Sequence, residues 1–304
     1  MDGIINVYKE AGFTSHDVVA KLRGICRQKK IGHTGTLDPQ ATGVLPVCLG
    51  SATRACEMLT DRTKEYVAEL LLGKITDTQD TTGTVLEERE VAVDEAQVRE
   101  VIGSFVGGYD QIPPMYSALK VNGKKLYELA RAGKEVERQA RHVDLPAIEI
   151  LEIRLPMVKF RVECSKGTYI RSLCADIGGK LGCGGTMQSL VRTRVGEFRL
   201  TDALTLTQLQ ELRDMDRLEE ALLPTDRIFA DFNAVHVEEK WRKLIDNGNA
   251  FYPGQTMEQT TYPVGEWVRV YREDDSFVGI YAYDGAKEWY KPVKIFPSNT
   301  ESRK

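Results

Sequence analysis

Fifteen residues constrain this chain more than any others: Gly32-His33-Thr34-Gly35-Thr36-Leu37-Asp38-Pro39-Gln40-Ala41-Thr42-Gly43-Val44-Leu45-Pro46. They set one carboxylate in a stiff loop. Pro39 steers Asp38 away from helical backbone, and Gly32, Gly35 and Gly43 permit turns and close approaches that a side chain would block. A carboxylate held in this way is a candidate catalytic group, whereas a bare Asp-Pro pair is an ordinary turn opening. The surrounding sequence has to decide between the two.

With 304 residues and 42% hydrophobic content, the chain can build a substantial core and about two domains. The N-terminus lacks a basic start leading into an apolar run, and no stretch approaches the roughly 20 apolar residues of a membrane span. A cytoplasmic protein is expected. The six cysteines form no C-x-x-C pair, and the four histidines stand at no metal-binding spacing. Reduced, buried cysteines and no metal follow as expectations.

Net charge is -4, but it is unevenly spread: -5 over residues 1–111, +7 over 112–199 and -6 over 200–304. A smaller basic cluster, Lys21, Arg23, Arg27, Lys29 and Lys30, lies just before the Asp38 loop. Two basic islands flanking one chemical loop point to a polyanionic substrate.

Mixed rather than alternating α and β patterns predict an α+β fold. Thr14-x-x-Asp17 reads as a capping box for a helix with Val18, Val19, Leu22 and Ile25 inside, and Asp94-x-x-Gln97 caps another. Residues 44–49, 66–72 and 158–164 read as strands, and residues 170–181 as a helix carrying Arg171 in its first turn. A cation there opposes the helix dipole, so it asks for an anionic partner. Ile112-Pro113-Pro114 opens a basic, apolar-poor insertion over about 120–145, with a short helix over 126–132, which should project from the core. A boundary near residue 230 separates residues 1–230 from a small β-rich unit over 231–304. In that unit one helix is expected over 238–249, followed by three strands.

The chemistry of a single fixed Asp stays open on these grounds. Retaining glycosidases need a second carboxyl group, and none obviously accompanies Asp38. Asp77-Thr78-Gln79-Asp80 lacks calcium-loop spacing and reads as a hydrogen-bonded loop. Gly43 is not followed by the Lys-Ser/Thr of a phosphate-binding loop.

Five ordered motifs resemble the TruB-type tRNA pseudouridine synthases, which isomerise uridine 55 of the T loop. They are the 32–46 run, Thr63-Lys64-Glu65-Tyr66, Thr76-Asp77-Thr78-x-Asp80, Pro113-Pro114-Met115-Tyr116-Ser117-Ala118-x-Lys120, and Cys164-Ser165-Lys166-Gly167-Thr168-Tyr169-Ile170-Arg171. Leu190-x-Arg192-Thr193 continues the order, and Lys9 fits the opening, although Glu10 stands where a Pro usually follows. The resemblance implies a mixed-sheet catalytic domain with a PUA-like C-terminal domain and neither cofactor nor metal. Asp38 would start breakage of the N-glycosidic bond, Tyr66 would pack on the base near the departing C5 proton, and Arg171 would pair with Asp38. Attack on the sugar, attack on the base and removal of a sugar proton are all compatible with that role. Leu190 would line the uracil pocket, with Lys9 and Lys64 also binding substrate. His33 would either support the space left by the extruded base or order its loop by a hydrogen bond. Lys120, Lys124, Lys125 and Arg131 would clasp the T arm, and the C-terminal domain would meet the acceptor end of the tRNA. The expected form is a monomer without an obligate protein partner. The competing readings are a synthase within a guide-RNA particle and a tRNA-folding chaperone.

Overall fold

A computed structural model describes residues 1–121 and 123–297. Asn122 of the insertion and residues 298–304 of the C-terminal segment lie outside the described residues. The centre of the molecule is an eight-stranded mixed sheet: β1 (Gly3–Lys9), β2 (Ile31–His33), β3 (Thr42–Leu49), β4 (Lys64–Leu72), β5 (Ala147–Arg154), β6 (Met157–Cys164), β7 (Gly185–Val195) and β8 (Phe198–Arg199). The order is β1-β3-β7-β4-β6-β5, with β2 added on β3 and β8 on β7. All pairs are antiparallel except β3 with β7, which touch only at Val191↔Thr42 and Arg192↔Gly43.

That short parallel junction depends on a glycine. Gly43 has φ +106°, and a Cβ there would sit 2.2 Å from the carbonyl oxygen of Arg192. Only a residue without a side chain lets β3 come so close to β7.

The helices pack where the sequence pattern sends their apolar faces. Helix α1 (Ser15–Ile25) begins at the Thr14/Asp17 capping box and α2 (Glu95–Gly103) at the Asp94/Gln97 box. Val18, Val19, Leu22 and Ile25 of α1 join Ile5, Val7, Leu45 and Val47 of the sheet. Helix α3 (Ile170–Lys180) lays Leu173, Cys174 and Ile177 on Leu70, Phe160 and Met187 from the sheet. Between Tyr109–Gln111 and Arg141–Val143, which pair as a two-stranded ribbon, the basic insertion leaves and returns. It carries a two-residue hairpin, Lys120–Val121 with Lys124–Lys125, and a helix over Leu126–Arg131.

Four further strands, β9 (Asn233–Val237), β10 (Trp267–Arg272), β11 (Phe277–Asp284) and β12 (Trp289–Ile295), form a second sheet around Val235, Val268, Val270 and Tyr281. A separate apolar cluster of Phe229, Ile280 and Phe296 with Ile4, Val44 and Cys48 fastens it to the first. Two expectations need correcting here. Strand β9 was not foreseen, and the single helix over 238–249 is instead a 3-10 turn, Glu239–Trp241, followed by a short helix, Arg242–Asp246. Trp241 leaves the helical region at φ -107°, ψ 0°, which separates the two. Among the described residues no helix is long and apolar enough to cross a membrane, and no cluster of His, Cys, Asp or Glu is arranged to hold a metal. All six cysteines are free.

Candidate active site

The loop that opens β3 is fixed from three sides. Lys9 is wholly buried beneath it, and its Nζ donates to the carbonyls of Pro39 and Glu10 at 3.0 Å each. Gly12 N donates to Pro39 O at 2.9 Å, and Ser15 Oγ accepts from Leu37 N at 3.0 Å. Burial brings the Lys9 ammonium down to about 8, with Asp38 opposing the shift. Lys9, expected to bind substrate, lies behind the loop with its ammonium on two backbone carbonyls and outside the residues that line the cleft.

The anionic partner demanded by Arg171 is Asp38. Arg171 Nε lies 2.9 Å from Asp38 Oδ2 and its Nη2 donates to Oδ1 at 3.3 Å, a two-pronged contact. The same guanidinium donates to Tyr116 O at 2.9 Å and Thr78 O at 3.0 Å. Its side chain is 6% exposed, whereas that of Asp38 is 39% exposed and opens into the cleft. Burial raises the Asp38 pKa above its ordinary value, Arg171 and Lys9 pull it down, and the neighbouring Asp80 pushes it up. A second acid is therefore present after all. Asp80 Oδ2 stands 3.8 Å from Arg171 Nη1, and Asp80 Oδ1 accepts from Thr78 Oγ1 at 2.8 Å and Thr82 N at 3.0 Å. Residues 77–80 do form the expected hydrogen-bonded loop, and the loop also delivers an acid to the site.

Tyr66, Leu190 and Arg192 form the sheet side of the cleft. Tyr66 on β4 faces Arg192 on β7 and Val162 on β6. Tyr66 and Leu190 are each 8% exposed. Burial pushes the Tyr66 hydroxyl up, and the positive charge of Arg192 pulls it back. Arg192 itself is 1% exposed, donating from Nε to Val44 O at 2.7 Å and from Nη2 to Gly35 O at 3.3 Å. The sequence marks Arg192 only as part of a motif and gives it no chemical task. Lys64, also on β4, is brought down to about 8 by burial and then by Arg192, and it donates to the carbonyls of Thr60 and Arg62.

These residues line one cleft of about 730 Å³, with Lys166, Tyr169, Tyr127 and Arg131 on its rim. The insertion reaches the cleft through those last two. Lys125 and Arg131 both lie over the Tyr127 ring, 5.4 and 5.5 Å from its centre, an arrangement invisible in the sequence. Lys120 and Lys124 are exposed outside the cleft, as are Lys21, Arg23, Arg27, Lys29 and Lys30 on the α1 side. His33 is not part of the cleft wall. Because β2 pairs with β3 at His33↔Val47, its ring packs edge-on against His16 of α1 at 5.3 Å. Its Nδ1 is buried without a protein partner, and burial lowers its pKa. A hydrogen bond with the Gly35 backbone of the same loop opposes that shift.

Three cations (Lys64, Arg171, Arg192) and two acids (Asp38, Asp80) thus share one cleft. Such a floor suits a ligand that is itself anionic and brings a flat, partly apolar ring against Tyr66 and Leu190.

Residues 23–170 match the model of the TruB family pseudouridylate synthase N-terminal domain, and residues 171–230 match that of the tRNA pseudouridylate synthase B C-terminal domain. The chain is 53% identical to tRNA pseudouridine synthase B of Lachnoclostridium phytofermentans, over 97% of this chain and 100% of the relative. It is 49% identical to that of Alkaliphilus oremlandii, over 97% of each. Among solved structures it is similar to a chain of an H/ACA RNP bound to a substrate RNA containing 2'-deoxyuridine, with TM-score 0.73 and 27% identity over 97% of this chain and 84% of that one. A chain of a Cbf5-Nop10-Gar1 complex gives the same TM-score at 29% identity and the same coverage.

Proposed function

The chain belongs to the TruB family of pseudouridylate synthases, and from that premise we propose how its own residues isomerise uridine in tRNA and which uridine they take. The observation that carries the reading is the two-pronged Asp38–Arg171 contact at the mouth of the cleft. An ionised carboxylate there is held in one orientation by a guanidinium that is itself fixed by two carbonyls.

The reaction is an isomerisation: the bond from uracil N1 to the sugar C1′ breaks, the base turns, C5 bonds to C1′, and the C5 proton moves to N1 by way of solvent or a side chain. Asp38 starts this sequence. Tyr66 packs on the uracil ring beside C5, with the Arg192 charge facing it across the strand pair, and Leu190 covers the other part of the ring. No cofactor is called for by such a redox-neutral rearrangement. The substrate uridine is position 55 of the T loop, extruded into the cleft at a cost of a few kcal/mol that contacts to the RNA offset. Those contacts come from Lys64, Arg131, the exposed Lys120 and Lys124 and the half-buried Lys125 of the insertion, and the second sheet, a PUA-like unit of residues 231–304, meets the acceptor end. His33 and Lys9 support the loop from behind.

The test is tritium release from C5-labelled uridine in unmodified tRNA with no guide RNA added. Wild-type protein should release label from position 55 alone, and Asp38→Asn should release none while binding tRNA within about threefold of wild type, since phosphate contacts dominate affinity. Turnover by the variant, or release from a tRNA bearing cytidine at 55, would refute the assignment.

A further inference from the structure

Helix α3, which carries Arg171, has no side-chain cap at its start: Tyr169 is the cap residue and contributes only backbone. The cap is held from outside the helix. Gln111, 1% exposed at the end of the ribbon strand Tyr109–Gln111, accepts from Tyr169 N through Oε1 at 2.8 Å and donates from Nε2 to Tyr169 O at 3.0 Å. The second hydrogen of Nε2 goes to Tyr109 Oη at 2.6 Å, and that hydroxyl donates to Asp176 Oδ2, two turns further along α3, at 2.8 Å. The ribbon strand therefore grips the helix at its cap and again at Asp176. Tyr169 N is satisfied by this amide, and Tyr169 O accepts both from it and from Leu173 N at 3.1 Å.

We propose that Gln111 is the positioning residue for the Asp38–Arg171 pair: by fixing where α3 begins, it sets the guanidinium onto the carboxylate. This inference rests on the catalytic reading of Asp38. Arg171 lies two residues beyond the cap, and its contacts to Asp38 at 2.9 and 3.3 Å leave little room for the first turn to shift. A misplacement of about 1 Å is enough to cost orders of magnitude in rate. Because the ribbon is also the root of the insertion, the element that grips RNA and the element that orients the reacting carboxylate share one amide.

The groups that face Asp38 are Arg171 from α3, Asp80 from the 77–80 loop, Lys9 from β1, Tyr66 from β4 and the Tyr169 ring at the cap. Of these, Arg171 exerts the largest downward pull on the carboxyl. If Gln111 no longer places the guanidinium, Asp38 holds its proton to higher pH and the acid limb of the pH-rate profile moves up. A side chain that only stabilises the fold leaves that limb where it is.

The decisive variant is Gln111→Met in the full chain, assayed for single-turnover C5 tritium release on unmodified tRNA across the acid range, alongside tRNA affinity and thermal stability. Turnover at saturating tRNA should fall by about tenfold or more, affinity should stay within about twofold, and the acid limb should move to higher pH. Unchanged turnover, a loss confined to affinity, or slower turnover with the acid limb unmoved each overturns the inference. Should Gln111→Met fail to fold, Tyr109→Phe carries the same test, since it removes one hydroxyl from the amide nitrogen: an upward acid limb supports the role and an unmoved one overturns it. Wild type and Asp38→Asn run in parallel. A silent wild type sinks the catalytic reading and this inference with it, whereas an active wild type, a dead Asp38→Asn and an unaffected Gln111→Met sink the Gln111 role alone.

Discussion

Replacing Arg171 by lysine keeps a positive charge and removes a shape. The guanidinium spreads donors over both Asp38 oxygens, Tyr116 O and Thr78 O, all between 2.9 and 3.3 Å. An ammonium has three donors at one point, so it cannot span both carboxylate oxygens and two carbonyls on opposite sides. Each hydrogen bond to a charged group contributes about 1.5–3 kcal/mol, and the loss of one carboxylate contact plus the fixed orientation raises the barrier by about 2–4 kcal/mol. The expected rate is therefore roughly thirty- to a thousand-fold lower at saturating tRNA. The carboxylate also loses part of what lowers its pKa, so the acid limb of the profile should rise. Affinity for tRNA should hold within about threefold, because the phosphate contacts lie elsewhere. Single-turnover tritium release at several pH values measures both effects. A rate within about threefold of wild type with an unshifted acid limb would mean that charge alone suffices and that the two-pronged geometry is incidental.

Three further outcomes follow from the structure. Neutralising Lys120, Lys124 and Lys125 to alanine should weaken tRNA binding and flatten the log-log salt dependence by up to about three contacts' worth; lines of equal slope would show that these lysines touch no phosphate. Gly43→Ala should destabilise the protein by about 2 kcal/mol or more, because φ is +106° and the new Cβ would meet Arg192 O at 2.2 Å, and a denaturation midpoint equal to wild type would contradict the close approach of β3 and β7. Lys9, brought down to about 8 from 10.5, gives a signed pH effect: between those values the folded chain sheds a proton that the unfolded chain keeps, so stability rises with pH. The wild type should gain up to about 3 kcal/mol relative to Lys9→Met over that window, and parallel stability curves would place Lys9 in a wetter setting.

Local chemistry was the legible part of this chain. Thr14 with Asp17 and Asp94 with Gln97 announce helix starts because capping is decided within four residues, and the alternation around Phe160 announces a strand for the same reason. Asp38 stands out because Pro39 and three glycines restrict the backbone around it. Arg171 announced a need through its unfavourable place in the first turn of a helix. Asp80, Arg192 and Gln111 gave no such sign. Asp80 serves the site only once the 77–80 loop folds against α3, and Arg192 gains its task from facing Tyr66 across two strands. Gln111 acts on backbone atoms 58 positions away, which leaves no spacing rule to read. Strand β9 escaped notice because its pairing is parallel and distant, so nothing adjacent in sequence marks it.

Asp38 and Arg171 are separated by 133 positions, and a ribosome adds about 5–20 residues per second. The carboxylate is thus made on the order of ten seconds before the guanidinium that holds it. During that interval β3 has neither its β7 neighbour nor Arg192 behind Gly43. A chain ending before the parallel junction lacks Arg192 and with it part of the cleft wall. The cleft wall is therefore complete only once β7 has joined the sheet beside β3 and β4.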